Sequence, residues 1–592
     1  MDFSGQISNL FKPPERSHSP RAELSVRTGK SDTSKDFQWL ETNIPCQKAC
    51  PAQTDIPYYL TAIAKGDPNE AYRINLRDNV FPAVLGRVCS RPCESACRHG
   101  YEGLGESVAI CFSKRSADDF GSQDPVLLDP LFPGTGKRIS VIGSGVAGLT
   151  AARNLTLMGH QVTVYEKHAT PGGMLNQGIP EFRLPRNIID REVAQITALG
   201  VEIHCNTAIG SDLTIKQLKQ EADAVVIAAG TLKPNLLNIP GHELPGIRHG
   251  LDFLLEVNET GTADIGRRVI VIGGGFTAMD CARTAQRLGA QTAELSADWK
   301  LKVLYRRTKA DMRVTPGELE ELETEGVPLE CHATPLAYLE KDGKLSGMRF
   351  RRTGTHEEFD VPADTILLAT GQFPDGSWEN RGNADPTREH YGNVFVAGDY
   401  ALGATSLIDA IAHAKETAEH VDTFLMGKER MSRSVWVEDA TGTGRTREQD
   451  EILRHSLPML PLQERDLPSE VELGYSEDTA VEEAKRCYRC HYKFEIDQDK
   501  CIKCDWCLKA RPRPECILML KDISYDDGGR VVAFEETDTV RDMKMIWINQ
   551  DECIRCGACI KACPVDAITL QKISLCTEIV IDENGSAMEN NV

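Results

Sequence analysis

The sequence predicts a multidomain α/β protein, and three observations carry that prediction. A strand, a glycine-rich turn and a helix occur twice, beginning at Lys137 and again at Arg268. Two short apolar runs, Ala224-Val-Val-Ile-Ala-Ala-Gly230 and Thr365-Ile-Leu-Leu-Ala-Thr-Gly371, read as buried parallel strands returning to those units. Cysteines crowd the two ends: of 20, only Cys205, Cys281 and Cys331 lie outside 46–111 and 487–576, and these three read as plain core or surface residues. A chain of 592 residues has room for about three or four domains.

Bulk properties narrow the setting. A net charge of −21 argues against nucleic acid or an anionic membrane as partner. No apolar run approaches the ~20 residues of a membrane span. Residues 1–35 are polar, with Pro and Ser, and read as a mobile tail without a signal-peptide core. Clumped rather than scattered cysteines suit metal clusters in a reducing cytosol, so a cytoplasmic location is expected.

The first repeat reads Lys137-Arg-Ile-Ser-Val-Ile-Gly143-Ser-Gly145-Val-Ala-Gly148, a strand entering G-x-G-x-x-G, then a helix, then a strand at 161–165 that ends at Glu166. Gly143 permits the tight turn, Gly145 lets a pyrophosphate approach the backbone, and Gly148 lets helix and strand pack closely. Glu166 stands where a ribose-binding carboxylate belongs. The second repeat, Arg268-Val-Ile-Val-Ile-Gly273-Gly274-Gly275-Phe276-Thr277-Ala278, leads through a helix to a strand at 301–305 that ends in Arg306-Arg307, with no carboxylate. Arginine at that position accommodates the extra phosphate of NADP. The alternative is that the pair is merely solvated surface.

Near the C-terminus stands Cys553-x2-Cys556-x2-Cys559-x3-Cys563-Pro564, the bacterial ferredoxin run that holds [4Fe–4S] clusters. Upstream are Cys501-x2-Cys504-x2-Cys507 and, eight residues on, Cys516. The expected wiring joins Cys501, Cys504 and Cys507 to Cys563, and Cys553, Cys556 and Cys559 to Cys516, with Cys516 displaced by the insertion at 509–515. A structural zinc site is the bland alternative, though zinc sites favour paired C-x2-C over triplets followed by C-P.

Asn393-Val-Phe-Val-Ala-Gly398-Asp399 precedes a helix at about 406–425. With the Gly-ended strands, this is similar to flavoprotein reductases that nest a pyridine-nucleotide domain inside an FAD domain. The resemblance implies two nested Rossmann-like dinucleotide-binding domains. FAD would take the first site, contacted by Gly143, Gly145, Gly148, Glu166, Lys167, Gly173, Met174, Leu175, Arg183, Ala229, Gly230, Gly371, Gly398, Asp399, Thr405, Ser406 and Leu407. NADP(H) or NAD(H) would take the second, at Gly273, Gly274, Gly275, Phe276, Thr277, Arg306 and Arg307. No catalytic side chain is expected, since hydride transfer is the flavin's own chemistry.

The N-terminal cysteines complete a recognisable set: Pro45-Cys46-x3-Cys50-Pro51 and Cys89-x3-Cys93-x3-Cys97, with Gly178-Ile-Pro-Glu-Phe-Arg-Leu-Pro185 further on. Over about residues 40–430 the chain resembles the small (beta) subunit of glutamate synthase and its relative, the N-terminal half of dihydropyrimidine dehydrogenase. That family implies an N-terminal helical domain with two [4Fe–4S] clusters beside the flavin. Its pattern E-A-x-R-C-x2-C-x4-C-x3-C-P lacks its first half here; instead Glu483-Ala-Lys-Arg-Cys487-Tyr-Arg-Cys490 carries it hundreds of residues later. The resemblance therefore implies one cluster on Cys46, Cys97, Cys487 and Cys490, and a second on Cys50, Cys89 and Cys93. Lys114 falls where relatives place Gln or Glu and, protonated, cannot ligate. Cys111, three residues earlier, is either the substitute ligand or a buried small residue.

The expected domains are a helical iron–sulfur domain at 36–130, an FAD domain at 131–245 and 365–430, a nucleotide domain at 246–364, a linker at 431–490 that returns Cys487 and Cys490, and a bacterial ferredoxin-like (α+β) domain at 491–592. The function expected is an NAD(P)H-dependent FAD/iron–sulfur oxidoreductase with about four clusters. It would exchange single electrons with a protein partner: ferredoxin, a 2-oxoacid:ferredoxin oxidoreductase or a sirohaem sulfite reductase. It is expected within a complex or a homo-oligomer. The alternatives are a glutamate synthase beta subunit, or a non-catalytic electron-wire subunit with a dead nucleotide site.

Overall fold

A computed structural model describes residues 30–31, 34–293, 299–379, 390–526 and 531–580. Most of the expected N-terminal tail and the last residues of the ferredoxin-like region lie outside these.

The N-terminal region is helical because proline punctuates it. Pro45, Pro68, Pro82 and Pro92 each open a helix, at Pro45–Ala49, Pro68–Asn79, Pro82–Val88 and Pro92–Ser95. Proline's fixed φ suits a first helical turn, where its missing N–H costs nothing. With Ile56–Ala64 and Ile110–Asp119 these helices enclose Tyr59, Phe81, Val84 and Leu85, all essentially unexposed.

Two parallel sheets follow. The first runs His390–Tyr391, Val394–Val396, Ala224–Ile227, Arg138–Ile142, Gln161–Tyr165, Glu202–His204, parallel except at its first strand. The second runs Leu329–Glu330, Lys300–Leu304, Arg268–Ile272, Thr365–Leu368, Ile247–His249, parallel throughout. Both central strands and both return strands are buried on each face, which is why they read as unbroken apolar runs. Thr365–Leu368 pairs with Val269–Ile272 and with Ile247–His249, so this strand belongs to the second sheet. The sequence boundary at 365 therefore falls too early. The run looks like 224–230 because each is an inner strand, parallel to its neighbours and buried along its length.

The ferredoxin-like end is also joined differently from expectation. By composition residues 431–439 read as the start of a linker. Instead Met431–Asp439 is a strand paired along its whole length, antiparallel, with Ile568–Ile579, and it carries Lys30–Ser31 on its other edge. Residues 440–476 then form a strap. Arg465 pairs with Glu321 and Glu325 of the nucleotide region, Val471 donates its N–H to the Phe182 carbonyl, and Glu470 meets Arg87 and Arg115 of the helical region. The strap ends in the helix Glu477–Lys485, whose Glu483 is fully buried and accepts from the Ala109 and His455 N–H groups and from Arg486.

Candidate flavin, nucleotide and iron–sulfur sites

Both glycine loops open into one cavity of about 960 Å³, at the upper end of single-ligand pockets, which span about 300–1,000 Å³. The glycines differ in what surrounds them. Gly143 (φ +97°) sits against the Ala228 carbonyl, and a Cβ on Gly148 would collide with the Gly143 carbonyl. Gly145 has nothing within 4 Å of the place a Cβ would take, and the same holds for Gly230, Gly275 and Gly371. The open positions are those where a ligand can approach bare backbone; the closed ones shape the turn. Gly148 and Gly398 do not line the cavity; Gly398 (φ +63°) packs on Ala147 instead.

Glu166 is buried, and its carboxylate braces the loop: it accepts from the Ser144 N–H (2.9 Å) and hydroxyl (2.6 Å) and from the His168 N–H (2.9 Å). Asp399 accepts from the Thr405 N–H and hydroxyl, and burial raises its carboxyl above the usual range. Beside it, Ser406 caps the helix Leu407–Met426, directing that helix's positive end at the cavity. Lys167, Gly173, Met174, Leu175, Ala229, Thr405 and Leu407 line the same wall. Arg183 lines it too, but its guanidinium pairs with Asp280 (2.7 Å) and Glu318 and lies over the Phe276 ring, clasping the two nucleotide-binding regions together.

On the second loop, Ala278 replaces the third glycine. A Cβ on Gly274 would strike the Tyr305 ring. Gly273, Gly274, Gly275, Phe276 and Thr277 line the cavity, as do Arg306, Arg307 and Arg313. Both Arg306 and Arg307 are exposed, with the Tyr305 hydroxyl held on the Asp311 carbonyl (3.0 Å) beside them.

The cysteines gather as sets. Cys46, Cys97, Cys487 and Cys490 line one small buried void. Burial pushes the Cys46 thiol up, and so do its three neighbours. In the second set, Cys111 is fully buried within hydrogen-bonding reach of Cys89 and Cys93, and Lys114 is buried against Cys111, Cys89, Cys93 and Cys50. At the C-terminal end, Cys516 neighbours Cys553 and Cys556. Cys507 neighbours Cys501 and Cys504, and Cys559 faces Cys507. Cys563 accepts from the Ala567 N–H (3.2 Å). Among the described residues no three His, Cys, Asp or Glu side chains close on one ion-sized position; a cubane asks for wider spacing around its iron–sulfide core.

Two observations fit such clusters. The Tyr59 hydroxyl, beside Cys93, Cys111, Cys46 and Cys50, is buried with no hydrogen-bond partner, a donor that a cluster sulfur would satisfy. The turns also match. Arg489 (φ +55°), Lys503 (φ +55°) and Arg555 (φ +56°) hold the same left-handed position inside Cys487–Cys490, Cys501–Cys504 and Cys553–Cys556. Such conformations cost about 1–3 kcal/mol and persist where a site imposes them.

Family models agree with this layout. Pyridine nucleotide-disulphide oxidoreductase matches residues 137–418, dihydropyrimidine dehydrogenase domain II, 4Fe-4S cluster, matches 40–124, and 4Fe-4S binding domain matches 546–569. The NADP(+)-dependent formate dehydrogenase subunit beta of Moorella thermoacetica is 34% identical over 76% of this chain and 70% of its own. NADPH-Fe(3+) oxidoreductase subunit beta of Geobacter sulfurreducens is 32% identical over 76% and 75%. The glutamate synthase [NADPH] small chain of Azospirillum brasilense is 31% identical over 65% and 86%. The chain belongs to the glutamate synthase small-chain-like family of FAD/iron–sulfur oxidoreductases. It is an NAD(P)H-dependent enzyme that transfers electrons through [4Fe–4S] clusters. These relatives are named as subunits or chains of larger enzymes. No helix among the described residues is long and apolar enough to cross a membrane.

For a member of this family, the residues that sequence reasoning missed matter most where they join the parts. Val88 and Ser90, on either side of Cys89, line the cavity that both glycine loops open into. Trp378 and Thr207 also wall it, from loops without a motif. Nothing in a single sequence marks such contacts.

Proposed function

We propose that NADPH binds at the 273–277 loop with its extra phosphate on Arg306 and Arg307, that FAD lies along Gly145, Glu166 and Asp399, and that electrons leave singly through four clusters to a redox protein at the Cys501–Cys504 end. When bound, FAD takes a hydride from the nicotinamide and releases its electrons one at a time. The chain's residues do the rest. Open glycines admit the phosphates, the capped helix at Leu407 presents its positive end, and Arg183 holds the two loops facing each other.

The observation that supports this reading is that Val88 and Ser90, on either side of Cys89, line the same cavity as both glycine loops, so that a flavin bound there would have the Cys89 set at its edge. From there the sets follow one another: Cys50, Cys89, Cys93 and Cys111; Cys46, Cys97, Cys487 and Cys490; Cys553, Cys556, Cys559 and Cys516; Cys501, Cys504, Cys507 and Cys563. The last is the most open, with Cys501 and Cys504 half-buried and Ile502 and Trp506 exposed around them. The relatives' names make formate dehydrogenase, Fe(3+) reduction and glutamate synthase the models for an assembly. A ferredoxin, a 2-oxoacid:ferredoxin oxidoreductase or a sulfite reductase are partners of fitting chemistry.

The test is NADPH oxidation by the full chain, first with an artificial dye and then with added ferredoxin. Cys504→Ser should leave dye reduction near wild type and abolish ferredoxin reduction. Undiminished ferredoxin reduction would place the exit elsewhere. A wild-type chain that oxidises no NADPH with either acceptor would leave only the electron-wire reading.

A further inference from the structure

At the join between the N-terminal and ferredoxin-like cysteine sets lies a fully buried arginine. Arg555 has no exposed surface. Its guanidinium donates to the carbonyls of Tyr492 (3.2 Å), Gln550 (2.5 Å) and Cys553, and to the Gln550 side-chain oxygen (3.4 Å). Each of these acceptors is neutral. Tyr492 is two residues beyond Cys490, and Cys553 belongs to the next set, so one side chain touches both sides of the join. Asp551, a carboxylate close by, is 64% exposed and pairs with Arg98 (3.3 Å). Burial and the neighbouring buried guanidinium of Arg98 work against the charge of Arg555, while Cys553, Cys490 and Asp551 favour it.

A buried cation with only neutral acceptors is costly unless an anion lies nearby. A [4Fe–4S] cluster on four thiolates is such an anion, because the thiolates outweigh the core's charge. The turn itself does not require a buried cation: Lys503, at the same left-handed position of the Cys501–Cys504 turn, is exposed, whereas Arg489 in the Cys487–Cys490 turn is buried and donates to the Thr443 carbonyl, on one side of the join only.

We infer that Arg555 is the shared counter-cation of the Cys46/Cys97/Cys487/Cys490 cluster and the Cys553/Cys556/Cys559/Cys516 cluster, and that it raises both of their reduction potentials. The inference rests on the ligand sets proposed above. Adding an electron makes a cluster more negative, so a fixed cation at its edge favours the reduced form. Arg555 is a positioning residue, acting on the carriers and not on substrate. Its effect holds the middle of the relay low enough in energy for electrons to cross between the two ends of the chain.

The experiment is a redox titration of the iron-loaded full chain followed by electron paramagnetic resonance, on wild type, Arg555→Gln, Arg555→Lys and Lys503→Gln. Arg555→Gln should lower two of the four midpoints by about tenfold in the one-electron equilibrium, which is 59 mV. Arg555→Lys should hold both within about threefold, and Lys503→Gln should move neither. Unmoved midpoints in Arg555→Gln, an equal fall of all four, or a lysine variant that falls as far as the glutamine one would overturn the inference. Should Arg555→Gln not retain iron, Arg555→Met takes its place: two midpoints lowered about tenfold support the inference, and unmoved midpoints overturn it. A wild-type iron content far below about 16 per chain would instead refute the ligand sets.

Discussion

The glycine-loop cavity and the cysteine sets are built by opposite means. Each glycine loop is a local device: a strand, a turn and a helix, contiguous within Arg138–Leu157 and again within Arg268–Ala293, supply the open backbone and the positive helix end. The Cys46 set is assembled from both ends of the chain, its last two members brought by a strap spanning 440–476 and a helix locked by Glu483. Local sites survive damage elsewhere, whereas an assembled site is only as stable as the segment that delivers it.

Damage to the local device should therefore stay local. A Cβ at Gly145 would meet nothing within 4 Å, so Gly145→Val directs its side chain into the open cavity. It should abolish flavin binding and cut NADPH oxidation by at least ~100-fold, or about 2.7 kcal/mol. Iron content and the thermal midpoint of flavin-free protein should not change. Iron loss in this variant, measured by colorimetric assay, would break the separation.

The strap offers the converse. Arg87 is buried and pairs with Glu470 of the strap and with Asp118 and Asp119 (2.9, 3.3 and 2.8 Å). Arg87→Met removes a partner from buried charges, a change worth about 3–5 kcal/mol. Limited proteolysis should then cut first within 440–476, and cluster iron should fall while the Gly145 site still binds flavin. Cleavage first in the 246–364 region would contradict the strap's role.

The smallest effect is expected at the exposed pair. A charged hydrogen bond to phosphate is worth about 1.5–3 kcal/mol, so Arg306→Ala with Arg307→Ala should raise the NADPH KM by roughly 10–100-fold relative to NADH. Equal changes for the two nucleotides in steady-state kinetics would make the pair solvated surface after all.

How much of this was legible follows the same division. The strands Arg138–Ile142 and Arg268–Ile272, their glycine turns and the acid or arginine ends were readable because each signal sits within one short window. The displaced Cys487–Cys490 pair was readable only because Glu483-Ala-Lys-Arg repeats a pattern missing before Cys46. Met431–Asp439 escaped notice because polar and charged residues flank its apolar centre, Val435-Trp-Val437, and its partner strand lies more than a hundred residues away. Arg183 carries a motif position but not the motif's simplest role, since its charge is spent on Asp280 and Glu318. Tyr59 and Arg555 gave no signal at all: an orphan hydroxyl or an unneutralised cation exists only once the chain has folded around it.

The central claim is that iron joins the two ends of the chain, and iron itself can be counted. Cys487→Ser with Cys490→Ser, purified anaerobically as the full chain, should lose about four of about sixteen irons per flavin, one [4Fe–4S] cluster, while the ferredoxin-type signals remain and residues 440–476 become the first site of proteolysis. Full iron retention with an unchanged spectrum would contradict the claim. It would leave Cys46 and Cys97 to be completed from within the N-terminal region.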